Sequence, residues 1–195
     1  MPLIAFEGLD QSGKETQARL LSQALEQHGR TVASLTFPSD ATRIGQEIRA
    51  ALAGEREYTA DVMQLLFIAN RHECRPQIEQ WLHDDVVVIC DRYLASSVAY
   101  GEAFGLDAGW LEQTQRFLPQ PALTILLDIR PETALSRKRA GRDRYEQDLS
   151  LLARVRESYR RQAAAGGWSL FDGEQSREEV AARISDAVRA RLALL

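Results

Sequence analysis

The chain has 195 residues, of which 45% are hydrophobic and 27% charged, with a net charge of −4. That length suits one α/β domain with a full core, and the charge balance argues against broad nucleic-acid binding, which calls for a basic surface. Cys74 and Cys90 give neither a disulfide framework nor metal-ligand spacing; no apolar run approaches the ~20 residues of a membrane span, and the N-terminus lacks a signal-peptide pattern, so a cytoplasmic protein without membrane partners is expected.

The first expected strand, Leu3–Glu7, runs into Gly8-Leu9-Asp10-Gln11-Ser12-Gly13-Lys14 and then into a helical pattern. A strand, a glycine loop and a helix in that order form an anion cradle. Backbone N–H groups and the helix N-terminus point at phosphate oxygens, and the lysine reaches the outer phosphates. The motif asks for Ser or Thr after the lysine to hold Mg²⁺. Here Glu15 stands there, with Thr16 behind it. Leu21, Ala24, Leu25 and His28 continue at helical spacing, and Gly29 is a natural stop.

Further strands are expected at Val32–Thr36, Val86–Cys90, Leu123–Leu127 and Trp168–Phe171. The nearly continuous apolar runs suit a parallel sheet covered on both faces, and Cys90 reads as a small buried hydrophobe. The interval from Arg43 to Asp85 is too long for one crossover helix. It reads as two helices, Arg43–Ala53 and Ala60–Leu82, the second disturbed at Pro76. Such an insertion commonly shapes a second pocket. Near the C-terminus Ser176 caps a helix with Glu179 three residues on, and Val180, Ile184 and Val188 form its inner stripe. The expected fold is a five-stranded parallel sheet with helices on both faces and ligands at the C-terminal edge of the strands.

Asp91-Arg92-Tyr93 follows the third expected strand and should emerge beside the glycine loop. Asp91 can hold a Mg²⁺-bound water and Arg92 can grip phosphate oxygens; the alternative is a strand-end ion pair above a packed tyrosine. Phe67 and Arg71 share one face of the inserted helix. They can stack on a base and hydrogen-bond its edge, or be a core phenylalanine with a surface arginine. Ser96, Ser97 and Tyr100 offer hydroxyls on the opposite wall, or simply begin a helix. The run from Ser136 to Glu146 carries Arg137, Lys138, Arg139, Arg142 and Arg144 around Gly141. It is either a solvated helix end or a lid that brings arginines onto a migrating phosphoryl group.

Together these pieces resemble the bacterial thymidylate kinases, P-loop nucleoside monophosphate kinases, along essentially the whole chain. The most specific elements are Asp10 inside the loop, the Phe67/Arg71 pair and the string from Asp91 to Tyr100. The resemblance implies ATP and dTMP as substrates, Mg²⁺ as cofactor and a homodimer. It implies a single domain over 1–195, with substrate-binding helices at about 43–83 and a lid at about 137–147. By the same resemblance Phe67 stacks on thymine, Arg71 donates to a thymine carbonyl and Ser97 meets the base edge. Pro38 shapes the pocket, and Tyr100 packs near the sugar. Asp10 faces the sugar and phosphate end, and Arg92 bridges donor and acceptor phosphates. Lys14 and residues 8–16 hold ATP; Asp10, Thr16 and Asp91 are the metal candidates; Asp172-Gly173-Glu174 passes near the donor adenine. Some members of that family take the catalytic cation from the loop and others from the lid. Leu9, Asp10, Gln11 and Ser12 include no basic residue, so the chain resembles the second kind, which implies the lid arginines Arg139 and Arg142 as catalytic cations. Two departures stand out: Glu15, and Ser39-Asp40 where the family usually supplies an arginine, with Arg43 as a substitute. A kinase for another nucleoside monophosphate, or a nucleotide-binding regulator without turnover, are the alternatives.

Overall fold

The computed structural model describes residues 1–137 and 148–195. Five parallel strands, β1 (Leu3–Glu7), β2 (Val32–Thr36), β3 (Val87–Asp91), β4 (Leu123–Asp128) and β5 (Ser169–Asp172), lie in the order β2-β3-β1-β4-β5. The described helices are α1 (Lys14–Gln27), α2 (Arg43–Leu52), α3 (Ala60–His83), α4 (Leu94–Ala103), α5 (Ala108–Thr114), α6 (Pro131–Arg137), α7 (Leu149–Gly166) and α8 (Arg177–Leu192).

The period-two alternation of the strands divides the core. Ile4, Phe6, Ile89 and Ile125 face α1 and α8, where Leu21, Leu25, Ile184 and Val188 meet them. Leu3, Ala5, Val88 and Cys90 face the other way, onto Cys74 and Ile78 of α3. On that same side Leu126 packs with Ala95 and Ala99 of α4 and Val155 and Tyr159 of α7. Cys90 is fully buried, as its apolar run implies.

β1 and β2 have the expected bounds, whereas β3, β4 and β5 each end one residue later, on Asp91, Asp128 and Asp172. The apolar pattern stops before each aspartate, but the backbone ladder does not: Thr36 pairs with Asp91 and Asp128 with Asp172. A polar side chain at the rim of the sheet costs the ladder nothing. α3 also runs unbroken through Pro76, where a disturbance is expected from sequence. Pro76 lies on the exposed side, where solvent can satisfy the carbonyl that loses its partner. The expected capping box of Ser176 and Glu179 starts α8.

The topology also creates the crevice. α1 leaves β1 on one face of the sheet and α4 leaves the neighbouring β3 on the other, so the chain diverges above the two strand ends. Residues 8–13 and 91–93 border that gap. No described helix is long and apolar enough to cross a membrane.

Candidate active site

The glycine loop turns sharply off β1. Gly8 has φ 139°, and a Cβ there would overlap the Leu127 carbonyl oxygen, so a side chain is excluded on two counts. Lys14 starts α1 and is nearly buried; its Nζ donates to the Leu9 carbonyl at 2.7 Å. Burial pushes its pKa down and Arg92 adds to the effect; Asp10, Asp91 and Glu7 offset this only in part, leaving it at about 8. Leu9 offers this carbonyl while its side chain packs into the core with α4 and α7. A cavity of about 280 Å³ opens over the loop, lined by Asp10, Lys14, Glu15, Thr16, Asp91 and Arg92, with Gln11 and Gly13 also on its wall. Glu15 is exposed in the first turn of α1, where a carboxylate complements the helix dipole.

Arg92 does not pair with its neighbour Asp91. It reaches across to the loop, where Nη2 donates to Asp10 Oδ1 at 2.5 Å. Tyr100 donates to the other Asp10 oxygen at 3.1 Å, and the Arg92 guanidinium lies 5.5 Å from the Tyr100 ring centroid. Burial alone would raise the Asp10 carboxyl. The charges of Arg92 and Lys14, with hydrogen bonds from Arg92 and Tyr100, outweigh it and hold the group well below the usual carboxylate range. Arg92 itself is raised, because Asp10 overcomes the effect of burial. Asp91 is different: its Oδ1 is buried and finds no hydrogen-bond partner among the described residues. An acceptor in that state at a phosphate-sized cavity fits a hydrated hard cation.

A second cavity, of about 150 Å³, lies on the far side of this pair. Phe67 and Arg71 of α3, Pro38, Ser97 and Tyr100 line it, together with Asp10 and Arg92. The surface-arginine alternative for Arg71 does not hold, since the residue is 2% exposed. Its Nη1 donates to Ser97 Oγ at 2.7 Å and to Gln115 Oε1 at 3.4 Å, and its guanidinium sits 5.8 Å from the Phe37 ring centroid. Among the described residues no carboxylate pairs with it, and its Nε has no partner. Burial lowers its pKa to about 10, although the charge of Glu7 opposes the shift. A buried cation held only by neutral acceptors is set up to receive a carbonyl.

The wall at Pro38 is held from behind. Asn70 accepts from Ser39 N at 2.8 Å and donates to Thr42 Oγ1 at 2.7 Å. Gly45 lets that loop fold onto α2, because a Cβ there would overlap the Ser39 carbonyl. Asp40 pairs with Arg49 of α2, while Arg43 is exposed and lines neither cavity. On the other flank Arg137 donates to the Gln11 carbonyl at 3.0 Å and to the Gly173 carbonyl at 2.9 Å. It thereby ties the glycine loop to the Asp172-Gly173-Glu174 segment. Arg139 and Arg142 lie outside the described residues.

Sequence reasoning misses Phe37, Leu52 and Gln64 as cavity walls, and Gln115 as the partner of Arg71, whereas Ser96 lines the cavity as its place beside Ser97 and Tyr100 suggests. Gln64 has a signal: it lies three residues before Phe67 and seven before Arg71, on the same helical face. Gln115, from the end of α5, has none, since only the tertiary fold brings it to α3.

A parallel sheet carrying a phosphate loop on its first strand, a second cavity under inserted helices and one arginine between them defines a P-loop nucleoside monophosphate kinase. A family profile described as "Thymidylate kinase" matches residues 6–184. The thymidylate kinase of Danio rerio is 34% identical over 186 residues, spanning 94% of this chain and 88% of that protein. The probable thymidylate kinase of Pyrobaculum aerophilum is 35% identical and spans 97% of both. A solved thymidylate kinase from Candida albicans, described as having broad substrate specificity, matches with a TM-score of 0.87 at 27% identity over 100% of this chain and 93% of that one. The chain belongs to the thymidylate kinase family.

Proposed function

We propose that this protein transfers the γ-phosphoryl group of ATP to dTMP, giving ADP and dTDP. One observation carries the reading: Asp10 and Arg92 line both cavities. A nucleotide seated on the glycine loop and a monophosphate seated under Phe67 would bring their phosphates together at this pair.

An oxygen of the dTMP phosphate attacks the γ-phosphorus, and the bond to the bridging oxygen of ADP breaks. Lys14 and the N–H groups of residues 8–16 hold the donor phosphates, exchanging the Leu9 carbonyl for phosphate oxygens. Arg92 aligns donor and acceptor, with Asp10 orienting its guanidinium. Phe67 stacks on the base, Arg71 and Ser97 meet its polar edge, Pro38 closes the side and Tyr100 packs by the sugar. Catalysis is then positioning and charge neutralisation without a covalent intermediate.

Mg²⁺, when bound, neutralises charge on the donor phosphates. Asp91, with its unpartnered oxygen, and the Thr16 hydroxyl are the side chains that would hold it. Asp10, the third candidate, has both oxygens engaged by Arg92 and Tyr100. Arg139 and Arg142 are assigned to the migrating phosphoryl group because the loop positions 9–12 carry no cation.

The same reading treats residues 1–195 as one domain, with the helices at about 43–83 binding the acceptor and residues 137–147 forming a lid. It places the protein in the cytoplasm as a homodimer, without nucleic-acid partners. Exposed Leu65 on α3, Phe104 after α4 and Phe117 after α5 support a packing face on that group of helices. A coupled ADP-release assay across dTMP, dUMP, dCMP, dAMP and dGMP tests the function. Highest kcat/KM for dTMP is expected; preference for another base, or no ADP release with any, would refute it.

A further inference from the structure

Arg92 has a second set of partners, on the side away from Asp10, that the reaction scheme does not use. Its Nη1 lies 3.3 Å from Ser96 Oγ, 3.2 Å from the Tyr159 hydroxyl and 3.3 Å from the Gly8 carbonyl. Ser96 and Tyr159 are themselves 2.8 Å apart, and both reach Glu7 Oε2, at 2.7 and 3.2 Å. Glu7 Oε1 accepts the Tyr93 backbone N–H at 2.9 Å. Glu7, Ser96 and Tyr159 are all essentially inaccessible to solvent.

Counting protons gives this cluster a direction. The Glu7 carboxylate only accepts, so the Ser96 proton goes to Glu7, and the Tyr159 proton goes to Glu7 or to Ser96 Oγ. Neither hydroxyl then has a proton left to turn toward Arg92. Both present lone pairs to Nη1, and the guanidinium is gripped on one edge by Asp10 and on the other by two oriented hydroxyls. Glu7 also pins the backbone just beyond Arg92, whose φ of 63° lies in the left-handed region that a residue with a Cβ adopts at a cost. The last residue of β1 therefore fixes both the main chain and the side chain of the arginine that follows β3.

We propose that Tyr159 of α7 is a positioning residue for phosphoryl transfer, holding the Arg92 guanidinium in its reactive plane through a hydroxyl polarised by Glu7. This rests on the phosphoryl-transfer reading above, and it adds a residue from a helix far along the chain to the catalytic apparatus. Tyr159→Phe removes one oxygen and keeps the packing of the ring. A guanidinium loosened in this way still binds each substrate but spends less time aligned with both, so kcat falls while KM stays.

The test combines kinetics with a measurement independent of turnover. In the otherwise unaltered protein, Tyr159→Phe should lower kcat about tenfold, with KM for dTMP and ATP and the melting temperature nearly unchanged. In an Arg92→Lys background the same substitution should change kcat less than about twofold, because the group it positions is gone. Glu7→Gln, whose amide can donate to Ser96 or Tyr159 and so turn a hydroxyl proton toward Arg92, should cost at least as much as Tyr159→Phe. By ¹⁵N NMR of arginine side chains, the Arg92 Nη signals should exchange faster in Tyr159→Phe than in the wild type. An equal loss of kcat in both backgrounds, or unaltered Arg92 signals, would overturn the proposal. A wild type unable to phosphorylate dTMP would overturn the transfer reading instead, leaving the NMR comparison to decide on Tyr159.

Discussion

Arg92 and Asp10, 82 residues apart in sequence, form an ion pair of 2.5 Å at the seam between two cavities. The pair closes a gap that the fold opens, because β1 and β3 send their chains to opposite faces of the sheet. Asp10, its oxygens engaged by Arg92 and Tyr100, orients the guanidinium, and Arg92 is the member of the pair whose charge attracts phosphates at the seam.

Lys14→Ala should abolish most phosphoryl transfer. Loss of one preorganised charge from a transition state costs on the order of 10²–10³ in rate. Near-normal turnover in a variant with an unchanged melting curve would contradict the role given to the glycine loop.

The same lysine gives a pH prediction. The unfolded chain holds its proton up to about 10.5, whereas the folded protein releases it at about 8. Between those values the unfolded state binds more protons, so native stability rises with pH through this window. Lys14→Met lacks the buried ammonium. Its melting temperature should exceed that of the wild type most at pH 7, and the gap should narrow toward pH 10. Thermal unfolding of both proteins across this range checks the sign.

The chemistry of Arg71 predicts the base preference. It presents donors from a buried site with no carboxylate partner among the described residues, so a carbonyl edge satisfies it and the amino group of cytosine does not. dTMP should exceed dCMP in kcat/KM by at least about 100-fold, because the wrong base leaves a buried polar group unpaired. Discrimination against dUMP should be weaker, since one methyl group is worth only ~1–3 kcal/mol.

Much of this was legible in the sequence, and for identifiable reasons. β1, the glycine loop and α1 are a local code in which apolar run, glycine spacing and helical period all agree. Phe67 and Arg71 share a face because the helix has 3.6 residues per turn, so their conjunction follows without a structure. The fate of Arg71 did not follow: burial depends on α4 and α5 packing over α3, which spacing along one helix cannot report. Asp10 and Arg92 were each recognisable, but their pairing is a product of strand order. Glu7 read only as the end of a strand, because the hydroxyls that give it meaning come from residues 96 and 159.

Asp91→Asn should raise the Mg²⁺ concentration needed for half-maximal rate about tenfold, through loss of charge toward a hard cation. Stability should hardly change, since the Asp91 Oδ1 atom has no hydrogen bond to lose among the described residues. Glu15→Thr should retain activity and shift the Mg²⁺ dependence, because Glu15 is exposed at the edge of the same cavity. Initial rates over a Mg²⁺ titration resolve both effects.

Arg142→Ala and Arg139→Ala should lower kcat strongly while dTMP affinity stays within a few-fold of wild type, as befits contacts made mainly in the transition state. Single-turnover rates and equilibrium binding of dTMP separate the two quantities. Unchanged turnover in the double variant would remove these arginines from the mechanism.

The most direct measurement is the fate of the phosphoryl group itself, followed by ³¹P NMR in a mixture of the wild-type protein, Mg²⁺, ATP and dTMP. The expected result is equal amounts of ADP and dTDP, appearing only when both nucleotides are present. Release of inorganic phosphate with ADP and no dTDP, or no change in ATP at all, would contradict transfer across the Asp10–Arg92 seam.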